Sequence, residues 1–369
     1  MNPFDIYVSN SVAGSANQLF YAAQSPQTGR VFYKIACGGR LEYSLLFSNV
    51  IDSTFSDGSK SRKNLICQPW NLLSARVGCL RAGEIPPDFT SPSVAAAVNE
   101  KVESFVPLTF GGSGEKQVAA GETFWSDPLV LEFDEGDYLC LEMTVCGPMI
   151  PYHEESILPV FVKTDEGWRY GRTTPFAGMV GCRRFVKARI GYLGDSITQG
   201  IGVPLNSYRH WNALLSAKIG LDYAHWNLGI GYGRAEDLAS DGAWLAKAKQ
   251  NDLTLLCIGV NDLMRGFSAE QIIKNIDFTV DALLAAGHRV VVQTVPPFDY
   301  DEERTLRWNR VNDHIKTVVS SKVSLVFDTV AVLGQKDSPQ KCLYGGHPNG
   351  EGCAKWAEAL YDALNPLLF

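Results

Sequence analysis

Arg189-Ile190-Gly191-Tyr192-Leu193-Gly194-Asp195-Ser196-Ile197-Thr198-Gln199-Gly200 is the stretch whose reading decides the fold. Its apolar run, Ile190 to Leu193, stops at Gly194-Asp195-Ser196 and reads as a buried strand delivering a serine to its carboxyl edge. Downstream, Trp211, Leu214, Leu215 and Ile219 recur at helical spacing and predict a helix over Asn206–Ile219. Strand, tight turn and helix is the unit of open α/β sheets, whose ligands bind beyond the carboxyl ends of the strands. An Asp-Ser pair also serves as an ordinary turn or helix cap. The other strand ends have to decide between the two.

From Ala188 onward, strand-like and helix-like segments alternate. Strands are predicted at Ile190–Leu193, Tyr223–Asn227, Leu253–Gly259, Arg289–Val295 and Val323–Phe327. Helices are predicted at Asn206–Ile219, Glu236–Lys249, Ser268–Ala286, Glu302–Ser320 and Gly350–Leu364. The strands are near-continuous apolar runs, as strands covered on both faces are, which implies a parallel sheet between two helical layers. Residues before this have another rhythm. Short two-residue alternations recur at Arg40–Phe47, Ser74–Leu80, Ser104–Phe110, Leu129–Phe133, Tyr138–Val145 and Leu158–Val162, separated by Gly-, Pro- and Asp-rich turns. In Tyr138–Val145 one face is Leu139, Leu141, Met143 and Val145, the pattern of a half-buried antiparallel strand. The chain therefore divides into an all-β, jelly-roll-type sandwich over residues 1–183 and an α/β domain over residues 184–369.

Strand ends carry the chemistry. The first ends in Gly194-Asp195-Ser196, the second in Asn227-Leu228-Gly229, the third in Gly259-Val260-Asn261-Asp262, and Gly346-His347-Pro348-Asn349 precedes the last helix. In this order and on this frame the four segments resemble the four blocks of the SGNH (GDSL-type) hydrolase superfamily. The resemblance spans residues 188 to 369 and implies a three-layer, flavodoxin-like fold and acyl ester hydrolysis. An all-β domain joined to such a unit also resembles the layout of two-domain carbohydrate esterases, which deacetylate sugars.

A serine hydroxyl needs a base to become a nucleophile, so Ser196 calls for His347 within hydrogen-bond reach. The oxyanion of the tetrahedral intermediate needs preorganised donors. The expected ones are the backbone N–H groups of Ser196 and Gly229 and the side-chain amide of Asn261. The family usually carries an aspartate three residues before the histidine; here that position is Tyr344. Asp337 and Asp328 would substitute only through a folded-back loop. The expectation is a Ser-His dyad, with the second ring nitrogen of His347 held by a main-chain carbonyl or another group. Asp195 and Asp262 are expected to fix their turns.

No metal or cofactor is called for, and the histidines lack metal-ligand spacing. Gly229-Ile230-Gly231-Tyr232-Gly233-Arg234 fails the dinucleotide fingerprint at Arg234, and neither a Walker loop nor GxSxG is present. A net charge of −7 disfavours nucleic acid and anionic membrane as partners. The expected partner is a small-molecule or oligosaccharide ester. Nine scattered cysteines without a CxxC pair, and an N-terminus without a leader pattern, lead to a cytoplasmic expectation. The alternatives are a lipase- or thioesterase-like acyl hydrolase and a catalytically weak carbohydrate-binding protein.

Overall fold

The computed structural model of the chain describes residues 2–12, 17–54, 62–334, 342–343 and 346–368. The chain forms two compact units: Met1–Asp52 with Asn64–Phe185, and Ser53–Lys63 with Val186–Phe369.

The first unit is built on two antiparallel sheets. One orders Val8–Ser9, Met179–Cys182, Gly39–Ser48 and Leu129–Phe133, with Thr123–Trp125 also on Gly39–Ser48. The other orders Gly167–Tyr170, Val160–Thr164, Leu19–Lys34, Tyr138–Tyr152, Trp70–Leu80 and Glu103–Pro107, with Lys116–Val118 also on Trp70–Leu80. Leu139, Leu141, Met143 and Val145 are buried as their alternation requires. Tyr138 and Cys140, on the opposite face, are buried as well. One strand over, Arg30 pairs with Glu142 at 2.6 Å and donates to the carbonyl of Asn99 in the helix Pro92–Glu100 at 2.7 Å.

The second unit holds a five-stranded sheet in the order Tyr223–Gly229, Ala188–Gly194, Leu253–Cys257, Arg289–Gln293, Leu325–Phe327. Every pairing is parallel. All residues of Tyr223–Gly229 and Leu253–Cys257 are buried, in keeping with strands covered on both sides. A capping box opens the helix Ala269–Ala285: Ser268 Oγ accepts from Gln271 N–H and Gln271 Oε1 from Ser268 N–H.

Two helices differ from their expected extents. The first begins only at Trp211, because Asn206 and Tyr208 adopt φ of 57° and 53°, the left-handed region, which a helix cannot pass through. The second is broken into Ala235–Leu238 and Ala243–Ala248 around Asp241, at φ 50°, and Gly242. Among the described residues no helix is long and apolar enough to cross a membrane.

Candidate active site

Ser196 sits at the carboxyl end of the sheet's second strand in spatial order, between Tyr223–Gly229 and Leu253–Cys257. Ala188–Gly194 runs into Asp195, whose carboxylate caps the one-turn helix Ser196–Gln199 by accepting the Ile197 N–H at 3.0 Å. This turn lies tight on two neighbouring strands. A Cβ on Gly194 would stand 2.2 Å from the Cys257 carbonyl oxygen, and one on Gly229 only 2.1 Å from the Gln199 nitrogen. Both clashes are with backbone, so only glycine lets the serine turn seat there. Asn227 braces the turn from below, donating to the Thr198 carbonyl at 3.0 Å, and Asn212 does the same at 2.6 Å.

His347 arrives from the far end of the chain. It pairs with Leu343 in the short antiparallel ladder Cys342–Leu343/His347–Pro348. Two residues on, Asn349 caps the helix Gly350–Leu364 through the Glu351 and Gly352 N–H groups. That helix is fixed by Trp356, fully buried, which stacks on Trp211 at 4.9 Å and donates to Gln293 at 2.7 Å. The edge of Phe298 lies against the His347 ring, centroids 5.3 Å apart. These contacts bring His347 Nε2 to 2.8 Å from Ser196 Oγ across 151 positions.

Asn261 stands beyond the end of the third strand, in the short helix Val260–Met264. Its amide donates one N–H to the Gly233 carbonyl at 2.9 Å. An amide nitrogen has two hydrogens, so one remains to meet a ligand. Ser196, Asn261 and His347 are each half-buried, while the residues around them are largely enclosed.

Gly229 does not have the expected role. Its N–H donates to Asn227 Oδ1 at 2.8 Å and is therefore spent inside the fold. The residue is a close-packing position against the serine turn, and the expected oxyanion donors that remain are the Ser196 N–H and the Asn261 amide. Asn227, Phe298 and Arg234 acquire roles the sequence did not assign. Asn227 alone had a signal, its place two residues before Gly229 at a strand end.

The acidic residues separate cleanly. Burial pushes the Asp195 carboxyl up to about 7, and the Asp262 carboxylate adds to it. Burial likewise takes Asp262 up to about 7, with Asp237 adding to it, although the Ala235 N–H donates to its carboxylate at 2.9 Å. Asp262 thus ties the Asn261 helix to the start of Ala235–Leu238. Asp328 pairs with Lys316 at 2.6 Å, accepts from Thr294 Oγ1 at 3.1 Å and caps Thr329–Leu333. Asp337 and Tyr344 lie outside the described residues.

Residues 192–355, within the second unit, match the family model of the GDSL-like Lipase/Acylhydrolase family. Among solved structures, the chain is similar to a member of the lipolytic protein G-D-S-L family from Veillonella parvula DSM 2008, at 21% identity and TM-score 0.42, covering 48% of this chain and 98% of that one. It is similar to TesA at 26% identity and TM-score 0.41, covering 49% and 99%. It is also similar to a carbohydrate esterase family 3 protein from Talaromyces cellulolyticus at 20% identity and TM-score 0.39, covering 49% and 97%. No curated protein matches the chain.

Proposed function

We propose that this chain is a serine esterase that removes short acyl groups, O-acetyl foremost, from a carbohydrate. The observation that carries the reading is the 2.8 Å approach of Ser196 Oγ to His347 Nε2 at the carboxyl edge of a parallel sheet. Ser196 Oγ attacks the ester carbonyl carbon while His347 Nε2 takes its proton. The carbonyl oxygen becomes an oxyanion held by the Ser196 N–H and the Asn261 amide. Collapse breaks the bond to the alcohol, which leaves with the proton from His347. Water, deprotonated by the same imidazole, then frees the acid and restores the serine. In this reading the pair works as a Ser-His dyad, with the second ring nitrogen of His347 held by a main-chain carbonyl or another group.

The carbohydrate assignment is supported by layout: an all-β unit, read as a jelly-roll sandwich, on the same chain as the acylhydrolase domain. The net charge of −7 favours a soluble ester over an anionic lipid surface or nucleic acid. A cytoplasmic setting fits the scattered cysteines. The test is hydrolysis of p-nitrophenyl acetate, then of acetylated sugars against longer acyl esters and thioesters. Turnover that vanishes in Ser196→Ala and is greatest on acetylated sugars supports the proposal. Preference for long acyl chains or thioesters replaces it with the lipase-like reading, and turnover that survives Ser196→Ala ends it.

A further inference from the structure

Ser53 and Lys63 group with the second unit although their neighbours Asp52 and Asn64 group with the first. Ser53 is fully buried, and its hydroxyl donates to Asp237 Oδ2 at 2.5 Å. Asp237, buried too, is the hub of the loop that follows the second strand. Its carboxylate accepts the Arg234 backbone N–H at 3.1 Å and Nε at 3.2 Å, and pairs with Arg234 Nη2. Arg234 is only 2% exposed and also pairs with Glu236 at 2.9 Å, and Lys63 meets Glu236 at 3.2 Å from the other side. Immediately before Arg234 is Gly233, whose carbonyl oxygen accepts the Asn261 amide. A buried carboxylate with several donors around it has a fixed position, and each donor removed leaves it under-satisfied.

We infer that Ser53 is a positioning residue for the oxyanion donor Asn261, acting through Asp237, Arg234 and the Gly233 carbonyl. The inference rests on the esterase reading above. One hydrogen of the Asn261 amide is anchored on Gly233 O, so the direction of the other follows from where that carbonyl sits. A hydroxyl taken from Asp237 lets the Asp237–Arg234 unit relax and tilts the amide away from the developing charge. Such an error is felt in the transition state more than in substrate binding.

The experiment is a double-mutant cycle on the full-length chain with p-nitrophenyl acetate. Ser53→Ala is expected to lower kcat about tenfold with KM within twofold, against the 10²–10³-fold typical of deleting a donor outright. Ser53→Thr, which keeps the hydroxyl, is expected to restore kcat to within about twofold of wild type. In an Asn261→Ala background Ser53→Ala should cost nothing further, because the group it positions is gone. Asp237→Asn supplies a second route to the same kcat-selective, Asn261-dependent loss if Ser53→Ala does not fold. Equal losses in both backgrounds, or an unchanged kcat in Ser53→Ala, overturn the inference. Asn261→Ala or Ser196→Ala without effect would instead overturn the esterase reading itself.

Discussion

The serine and histidine sides of the site are held in different ways. On the serine side the placement comes from the strand ends themselves: a cap one residue away, two glycines pressed against neighbouring backbone, and Asn227 spending both ends of its amide within the strand-end cluster. On the histidine side, placement comes from tertiary packing, a two-residue ladder, the Phe298 edge and a helix seated by stacked tryptophans. The difference teaches that the serine's place is a property of the strand end, whereas the histidine's is a property of how the C-terminal helix docks. Substitutions on the first side should be intolerant of a single methyl; those on the second should act only through the ring's position.

The largest separation is expected from Asn261→Ala. It should lower kcat by about 10²–10³ with little change in KM, measured in steady state, while the fold stays intact. A proportionate rise in KM with unchanged kcat would assign Asn261 to ground-state binding instead. Gly229→Ala comes next. Its new Cβ meets the Gln199 nitrogen at 2.1 Å, so the serine turn must move, with a stability loss of about 1–3 kcal/mol in urea unfolding and a matching fall in activity. A variant as stable as wild type would show the strand end to be slack.

The pH dependence sharpens the same point at the buried acids. Asp195 and Asp262 hold their protons up to about 7 in the folded chain, whereas in the unfolded chain carboxyls ionise near 4. Across that window the folded state binds more protons, so these two groups make stability fall as pH rises from about 4 to 7. Each contributes about 1.4 kcal/mol per pH unit at full proton difference. Asp262→Asn should remove one such slope in urea titrations run at pH 5 and pH 7; an unaltered slope would mean Asp262 is ionised in the fold. The smallest effect belongs to Asp328→Asn. Its carboxylate is engaged by Lys316 and Thr294, and kcat should stay within about threefold. A loss of orders of magnitude would make it the acid behind His347 and end the dyad.

Much of this was legible in the residues because the signals are local. Gly194-Asp195-Ser196 and Gly259-Val260-Asn261 announce strand ends, and near-continuous apolar runs announce a covered sheet. The helix expected from Asn206 misleads because apolar spacing does not register the left-handed backbone at Asn206 and Tyr208. The long strand Leu19–Lys34 goes unread because Pro26 and Gly29 interrupt its alternation. Gly229 has the right residue type for a donor loop, but only coordinates reveal that its N–H is already committed. Ser53 is beyond sequence reasoning altogether: 184 positions separate it from Asp237 and no motif contains it.

The most direct measurement is covalent trapping. An alkyl fluorophosphonate, whose phosphorus is attacked like the ester carbonyl carbon, should inactivate the enzyme with one adduct per chain. Peptide mass spectrometry should place that adduct on Ser196, and labelling should slow by at least a hundredfold in His347→Ala. A label on another residue, or labelling of Ser196 at an undiminished rate without the imidazole, would contradict the account.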